Sequence, residues 1–238
     1  MANYVSLMSR EYGDGRICIA TDRLSGYLTS HAFASKDLWR KVLEWTGQRL
    51  DKEIINVAIV NSANMLPITY LDNFAPISYS NISLQDISTN NGLYKYDLIY
   101  FIGLPISVSN DCVYAIEEYV GSGGGVLIEV PDIGGENINI LMDIDSIYCS
   151  SANRPTYDFS YWTNSGQNSY VYSQTAIVNF YTTILFNDVP PEWTIWMVDT
   201  PNSSITTLNN VSIIGNAASV ITVGYSTIFK NGIVTLES

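Results

Sequence analysis

Four short apolar runs punctuate the first 130 residues: Ile17–Thr21 (ICIAT), Asn56–Val60 (NVAIV), Asp97–Ile102 (DLIYFI) and Gly125–Val130 (GVLIEV). They are continuous rather than alternating, the pattern of strands covered on both faces. Between them lie stretches of helical period. Ser35–Leu50 (SKDLWRKVLEWTGQRL) sets Leu38, Val42 and Trp45 on one stripe with Trp39 and Leu43 beside it, and Ser35 is placed to cap the amino end. Ser107–Val120 repeats the pattern through Val108, Cys112, Ile116 and Tyr119, with Ser107 or Ser109 as the cap. Strands alternating with helices predict an α/β fold with a doubly wound, mainly parallel sheet, because parallel neighbours need a crossover that a helix supplies.

After about Asp145 the pattern changes. Tyr, Ser, Asn and Thr dominate Tyr148–Ser173, and β-branched runs follow: TAIVNFYTTILF, WTIWMV and SVITVGYSTIF. A hairpin is predicted at Phe229–Ile233, where Asn231-Gly232 can take the positive φ angles of a tight turn. The expected organisation is therefore an α/β domain over 1–147 and a β-rich carboxyl-terminal extension or subdomain over 148–238.

Charge narrows the classes of partner. Eleven Lys and Arg stand against 23 Asp and Glu, a formal net charge of −12, which argues against nucleic-acid backbones and anionic membranes because both call for a positive surface. Only 14% of residues are charged, so much of the surface is neutral and polar, as in extracellular proteins and protein shells. The opening MANYVSLMSREYGDG lacks a basic start followed by an apolar stretch, and no apolar run reaches the roughly 20 residues of a membrane span. A soluble protein made without a Sec signal is expected. Cys18, Cys112 and Cys149 are widely spaced with no metal-type pairing, and read as buried free thiols.

The glycine cluster in EYVGSGGGVLIEVPD, Glu118–Asp132, looks at first like a ligand cradle. A phosphate-binding glycine loop follows a strand and opens a helix, so that free N–H groups and the helix dipole face the anion. Here the order is reversed: a helix ends, Gly121-Ser122-Gly123-Gly124-Gly125 turns the chain, and a strand begins. The cluster reads as a helix stop.

With INVAIVNSA, YDLIYFIGLP and YVGSGGGVLIEV in hand, residues 54–135 resemble the class I glutamine amidotransferase-like superfold, and in particular its ThuA-like, non-amidotransferase branch. The segment EYGDGRICIATDRLSGYLTSHAFASKDLWRKVLEWTGQRL resembles the piece that usually closes those domains. Coming first here, it gives the chain the look of a circular permutation. The resemblance implies a flavodoxin-like, amidotransferase-like sheet. In true amidotransferases the strand after the glycines leads into an elbow bearing a nucleophilic cysteine, with histidine and glutamate supplied later. This chain has Glu129-Val130-Pro131-Asp132 there, and its only histidine is His31. Neither a Cys-His-Glu triad nor a histidine-based metal site can be assembled from these residues.

Weaker constellations remain. Asp143-Ile144-Asp145-Ser146 alternates carboxylates as a calcium loop does, but lacks its glycine and terminal glutamate and reads as a solvated loop. Glu129 and Asp132 could be drawn as a glycosidase pair, as could many pairs in an acidic protein. Tyr157, Tyr161, Trp162, Tyr170 and Tyr172 form an aromatic tract that would anchor its own loop, stack on sugars or build an interface. In parallel sheets ligands bind beyond the carboxyl ends of strands, and those ends carry Asp22, Asn61, Gly103 and Asp132. Asp22, Asn61 and Asp132 are thus the candidate ligand-binding residues, with no catalytic residue, cofactor or metal expected. The expected function is a non-catalytic structural or interaction protein, with protein partners or self-assembly, as in a virus particle or another large assembly. The alternative is a carbohydrate-related enzyme or small-molecule binding protein of ThuA-like type with a glycan or metabolite ligand.

Overall fold

A computed structural model describes residues 3–20, 33–50, 54–61, 77–89, 92–102, 108–129, 145–149, 159–172, 183–188, 191–200, 213–214, 227–230 and 233–236. The four apolar runs form strands β2 (Gly15–Ala20), β3 (Ile55–Asn61), β5 (Leu98–Ile102) and β6 (Gly125–Glu129). Each is parallel to its neighbours in the order β3-β5-β6-β2, with β4 (Ile77–Asn81) parallel on the outer side of β3. Their continuous apolar character has the expected cause: both faces are covered. Alternate residues feed two separate cores, Val126 and Ile128 on one face of β6 and Leu127 on the other.

Helix α1 (Phe33–Thr46) covers one face with Leu38, Trp39, Val42 and Leu43, all buried, while Trp45 stays half-buried at the edge. Its start differs from the expectation: Ser35 lies inside the first turn, so it is not the amino-terminal cap. Trp39 donates its indole N–H to the Tyr100 hydroxyl at 3.1 Å, which satisfies a polar atom inside that core. The opposite face is covered by α2 (Leu84–Ser88) and α3 (Asn110–Gly121), and Cys112, Ile116, Tyr119 and Val120 of α3 are buried. Ser109 caps α3, accepting from the Cys112 N–H at 3.3 Å; Ser107 lies outside the described residues.

Past β2 the sheet changes character. Strand β1 (Asn3–Tyr12) forms an antiparallel hairpin with β2, and its other side pairs antiparallel with β10 (Thr194–Thr200) and, at Asn3–Tyr4, with β9 (Thr183–Asp188). β8 (Phe159–Trp162) then pairs with β10, and β7 (Asp145–Cys149) with β9. Ten of the described strands thus belong to one mixed sheet, parallel in the half that carries the helices. Strands from the carboxyl-terminal third therefore join the same sheet as the amino-terminal hairpin. A second sheet has the order β11 (Ile213–Ile214), β13 (Ile233–Leu236), β12 (Thr227–Lys230). The pairing of Lys230 with Ile233 agrees with the predicted hairpin; Asn231 and Gly232 lie outside the described residues.

A polar network ties the carboxyl-terminal third to α1. Glu44, 1% exposed, accepts from Arg40 at 2.6 Å and from the Tyr170 hydroxyl at 2.7 Å, while Lys41 donates to the Tyr172 carbonyl at 2.6 Å. A buried carboxylate is tolerated only with such donors. Glu44→Ala is expected to lower the unfolding free energy by about 1.5–3 kcal/mol, the usual worth of hydrogen bonds to a charged group. Urea denaturation measures it, and a loss under about 0.5 kcal/mol, the ordinary effect of a surface substitution, would show that the network contributes nothing.

Candidate functional site

The parallel register brings Asn61, Ile102, Glu129 and Ala20 into one row across β3, β5, β6 and β2. This row is the carboxyl edge of the parallel sheet, where a ligand of an open α/β sheet is expected. Of the three predicted ligand-binding residues, Asn61 ends β3 in this row; its side chain, Asp22, Asp132 and also Gly103 lie outside the described residues. The described acidic group in the row is Glu129, fully buried on the α1 side of the sheet, on the face it shares with Leu127. A carboxylate at the end of a central strand, enclosed by an apolar layer, has its position and partners fixed by the fold. Sequence reasoning paired Glu129 with Asp132 only as one arbitrary acidic pair among many.

The groups that could supply nucleophilic chemistry are placed elsewhere. Cys18 and Cys112 are free and buried, on opposite faces of the sheet. Burial pushes both thiols up, Cys112 to about 11, and the neighbouring hydroxyls of Thr46 beside Cys18 and Ser88 beside Cys112 only partly offset this. Both are neutral thiols at physiological pH and poor nucleophiles. The Cys149 side chain, His31, Val130 and Pro131 lie outside the described residues. Among the described residues no three His, Cys, Asp or Glu side chains are grouped as metal ligands, and Asp145, part of the suggested calcium loop, opens strand β7 opposite Asp188.

At the amino edge the glycine cluster is fully engaged with the fold. The N–H groups of Ser122, Gly123, Gly124 and Gly125 donate to the carbonyls of Glu118, Val120, Tyr119 and Asp97 at 2.9–3.0 Å. No N–H of this run is left to face an anion. Gly123 takes φ +106°, a conformation strained for other residues. A methyl group on Gly124 would collide with the Tyr119 ring, and one on Gly125 with the Thr46 carbonyl. Gln48, itself at φ +55°, bridges the cluster to the β1–β2 turn by donating to the carbonyls of Asp14 (2.8 Å) and Gly123 (3.0 Å). Asp97 closes the edge: Arg49 binds one carboxylate oxygen at 2.8 Å, and the Asn56 backbone N–H binds the other at 2.8 Å. Burial, and after it the Asp97 charge, push the Tyr119 phenol up, and its hydroxyl donates to the Tyr96 carbonyl at 3.0 Å.

The aromatic tract mostly anchors its own segment. Trp162 is buried, and Tyr172 meets it edge-on with ring centres 5.4 Å apart. Between them lies a short helix, α4 (Asn164–Gln167), capped by Thr163, whose hydroxyl accepts from the Gly166 N–H at 3.0 Å. Thr163-Asn164-Ser165-Gly166 is the signal that could have located it. Tyr170 is 39% exposed, and Tyr157 and the Tyr161 side chain lie outside the described residues. No family model, curated protein or solved structure matches the chain.

Two outcomes test this account. Gly124→Ala is expected to cost about 1–3 kcal/mol as an overpacked site, whereas Gly121→Ala, whose methyl group meets open space at the helix end, is expected to be neutral or to stabilise by up to about 1 kcal/mol. Equal effects in urea denaturation would contradict the packing role. The raised Cys112 thiol has a definite sign in stability. The unfolded chain loses that proton near its ordinary value of 9.0 and the fold retains it to about 11, so stability falls as pH rises through this interval. The fall is expected to be shallower in Cys112→Ala, measured as the urea midpoint between those two pH values.

Proposed function

We propose that the chain is a non-catalytic structural or interaction protein, built on an amidotransferase-like scaffold whose nucleophile is missing, and that it serves in a large assembly such as a virus particle. The observation that carries this reading is the end of β6. Where a catalytic relative would turn from strand to nucleophile, the last strand residue is a fully buried glutamate followed in sequence by Val130-Pro131, and the two described thiols are buried and neutral.

The surface supports an interaction role. Ile54, Tyr94 and Tyr114 are 62%, 56% and 67% exposed, and Leu50 lies beside Arg49 near the same amino edge as Ile54 and Tyr94. Tyrosine-rich, charge-poor surface is the composition of interface cores, because tyrosine offers large contact area at low entropy cost. The test is the mass of the protein in its native source, by mass photometry and electron microscopy. Recovery in particles far above the 26.4 kDa of one chain is expected, and Tyr114→Lys with Ile54→Lys should release the chain without altering its circular dichroism. A native extract in which all of the chain runs as a 26.4 kDa monomer would overturn the proposal.

A further inference from the structure

On the α1 side of the sheet, at the junction of β1, β10 and the loop after α4, lies a cavity of about 280 Å3. Its floor is made by Ser9 and Thr194, directly opposed across the β1–β10 pair and therefore on one face. Ser9 is 2% exposed, and among the described residues the buried side-chain polar atom without a hydrogen-bond partner is Nε of Arg10, which also lines this cavity. The walls are aromatic. Trp45 and Trp196 meet edge to face, ring centres 4.7 Å apart and planes at 81°, and Tyr170 stands on the third side.

The rim carries carboxylates that are only loosely held. Glu192 is 3.9 Å from Arg10, and Glu11 is 3.7 Å from Arg16, whose guanidinium also sits over the Trp45 ring at 4.6 Å. Two acidic groups face two basic ones, so the rim is close to neutral. A phosphate would meet two carboxylates, and a cation would meet two guanidinium groups. An apolar ligand would leave the floor hydroxyls unmatched. A neutral ring bearing hydroxyl groups satisfies every wall at once: its C–H faces lie on indole and phenol rings, and its hydroxyls exchange hydrogen bonds with Ser9, Thr194 and the rim carboxylates.

We propose that this cavity between Ser9, Thr194, Trp45, Trp196 and Tyr170 binds a neutral saccharide residue. The site is separate from the carboxyl-edge row of Asn61, Ile102, Glu129 and Ala20, and it goes beyond the assembly reading by giving the scaffold a glycan to hold. The volume, near the lower limit of about 300 Å3 for ligand pockets, suits one sugar ring.

The test uses the full chain and the methyl glycosides of glucose, galactose, mannose and N-acetylglucosamine, with tryptophan fluorescence as the readout because two indoles wall the cavity. At least one glycoside is expected to give a saturable change. Ser9→Val and the solvent-side substitution Thr194→Lys should each weaken it roughly ten-fold or more, as loss of a matched hydrogen bond or occlusion implies. Asp111→Ala, exposed on a helix across the sheet, should leave it unchanged. Circular dichroism of each variant confirms folding, and Thr194→Lys, at an exposed position, keeps the test valid if Ser9→Val fails to fold. No saturable change with any of the four glycosides, equal binding by the folded variants, or a stronger response to choline or inorganic phosphate would each overturn the proposal. The measurement is made on the isolated chain, so its failure is distinct from a failure of assembly in the native source.

Discussion

The structure depends on a close approach of backbones at the amino edge of the parallel sheet. The β1–β2 turn, the end of α1 and the end of α3 meet there, leaving no room for a side chain at Gly13 or Gly15. A methyl group at Gly15 would strike the carbonyls of Val120 and Gly124, and one at Gly13 would come within 2.7 Å of the Gly121 carbonyl. The Asp14 N–H reaches the Gly121 carbonyl at 3.2 Å and the Arg16 N–H reaches Gly124 at 3.3 Å, so segments about a hundred residues apart bond as one unit. That contact sets β2 against β6 with Arg16 opposite Gly125. Every further pairing in the parallel half inherits its register from this alignment, because a one-residue slip would exchange the two buried faces.

Fixing the amino edge also fixes the carboxyl edge. Strands of five to seven residues held in register end together, and Asn61, Ile102, Glu129 and Ala20 do so. The fold thereby spends its glycines on construction at one end and presents strand ends at the other. Glu129 in that row is enclosed, and the two described thiols are sealed within the two cores, so these three groups are internal. Among the described residues the surface offers large tyrosines such as Tyr94 and Tyr114 beside scattered charges. Both proposals, assembly and a sugar-sized cavity, rest on that division between a sealed interior and an aromatic, weakly charged exterior.

The junction of the two halves of the sheet links packing to recognition. β1 is the seam, antiparallel to both neighbours: β2, the last strand of the parallel half, lies on one side and β10 on the other. Trp45 at the end of α1 reaches across the seam to Trp196 of β10, while Glu44 one residue earlier holds Tyr170. The same contacts that fasten the carboxyl-terminal third to α1 therefore wall the cavity above Ser9 and Thr194.

The sequence by itself determined the parallel half. Four continuous apolar runs, two amphipathic helices and glycines placed between helix and strand are local signals, since propensity, period and turn chemistry act over a few residues. It also determined that a phosphate cradle was the wrong reading of EYVGSGGGVLIEVPD, because the order of elements alone decides where free N–H groups point. It did not reveal β1. In NYVSLMSREY, Leu7 and Met8 are neighbours on opposite faces, both essentially unexposed, so a strand inside the sheet shows no alternation to read. The cap of α1 was misplaced by two residues or more because Ser35 looks local but the helix begins at Phe33. Only the tertiary structure decided which carboxylates are enclosed, and that Ser9, Thr194, Trp45 and Tyr170 surround one cavity. Those residues are up to 185 positions apart (Ser9 to Thr194), and what brings them together is strand register across β1 and β10, a long-range pairing that no local pattern encodes.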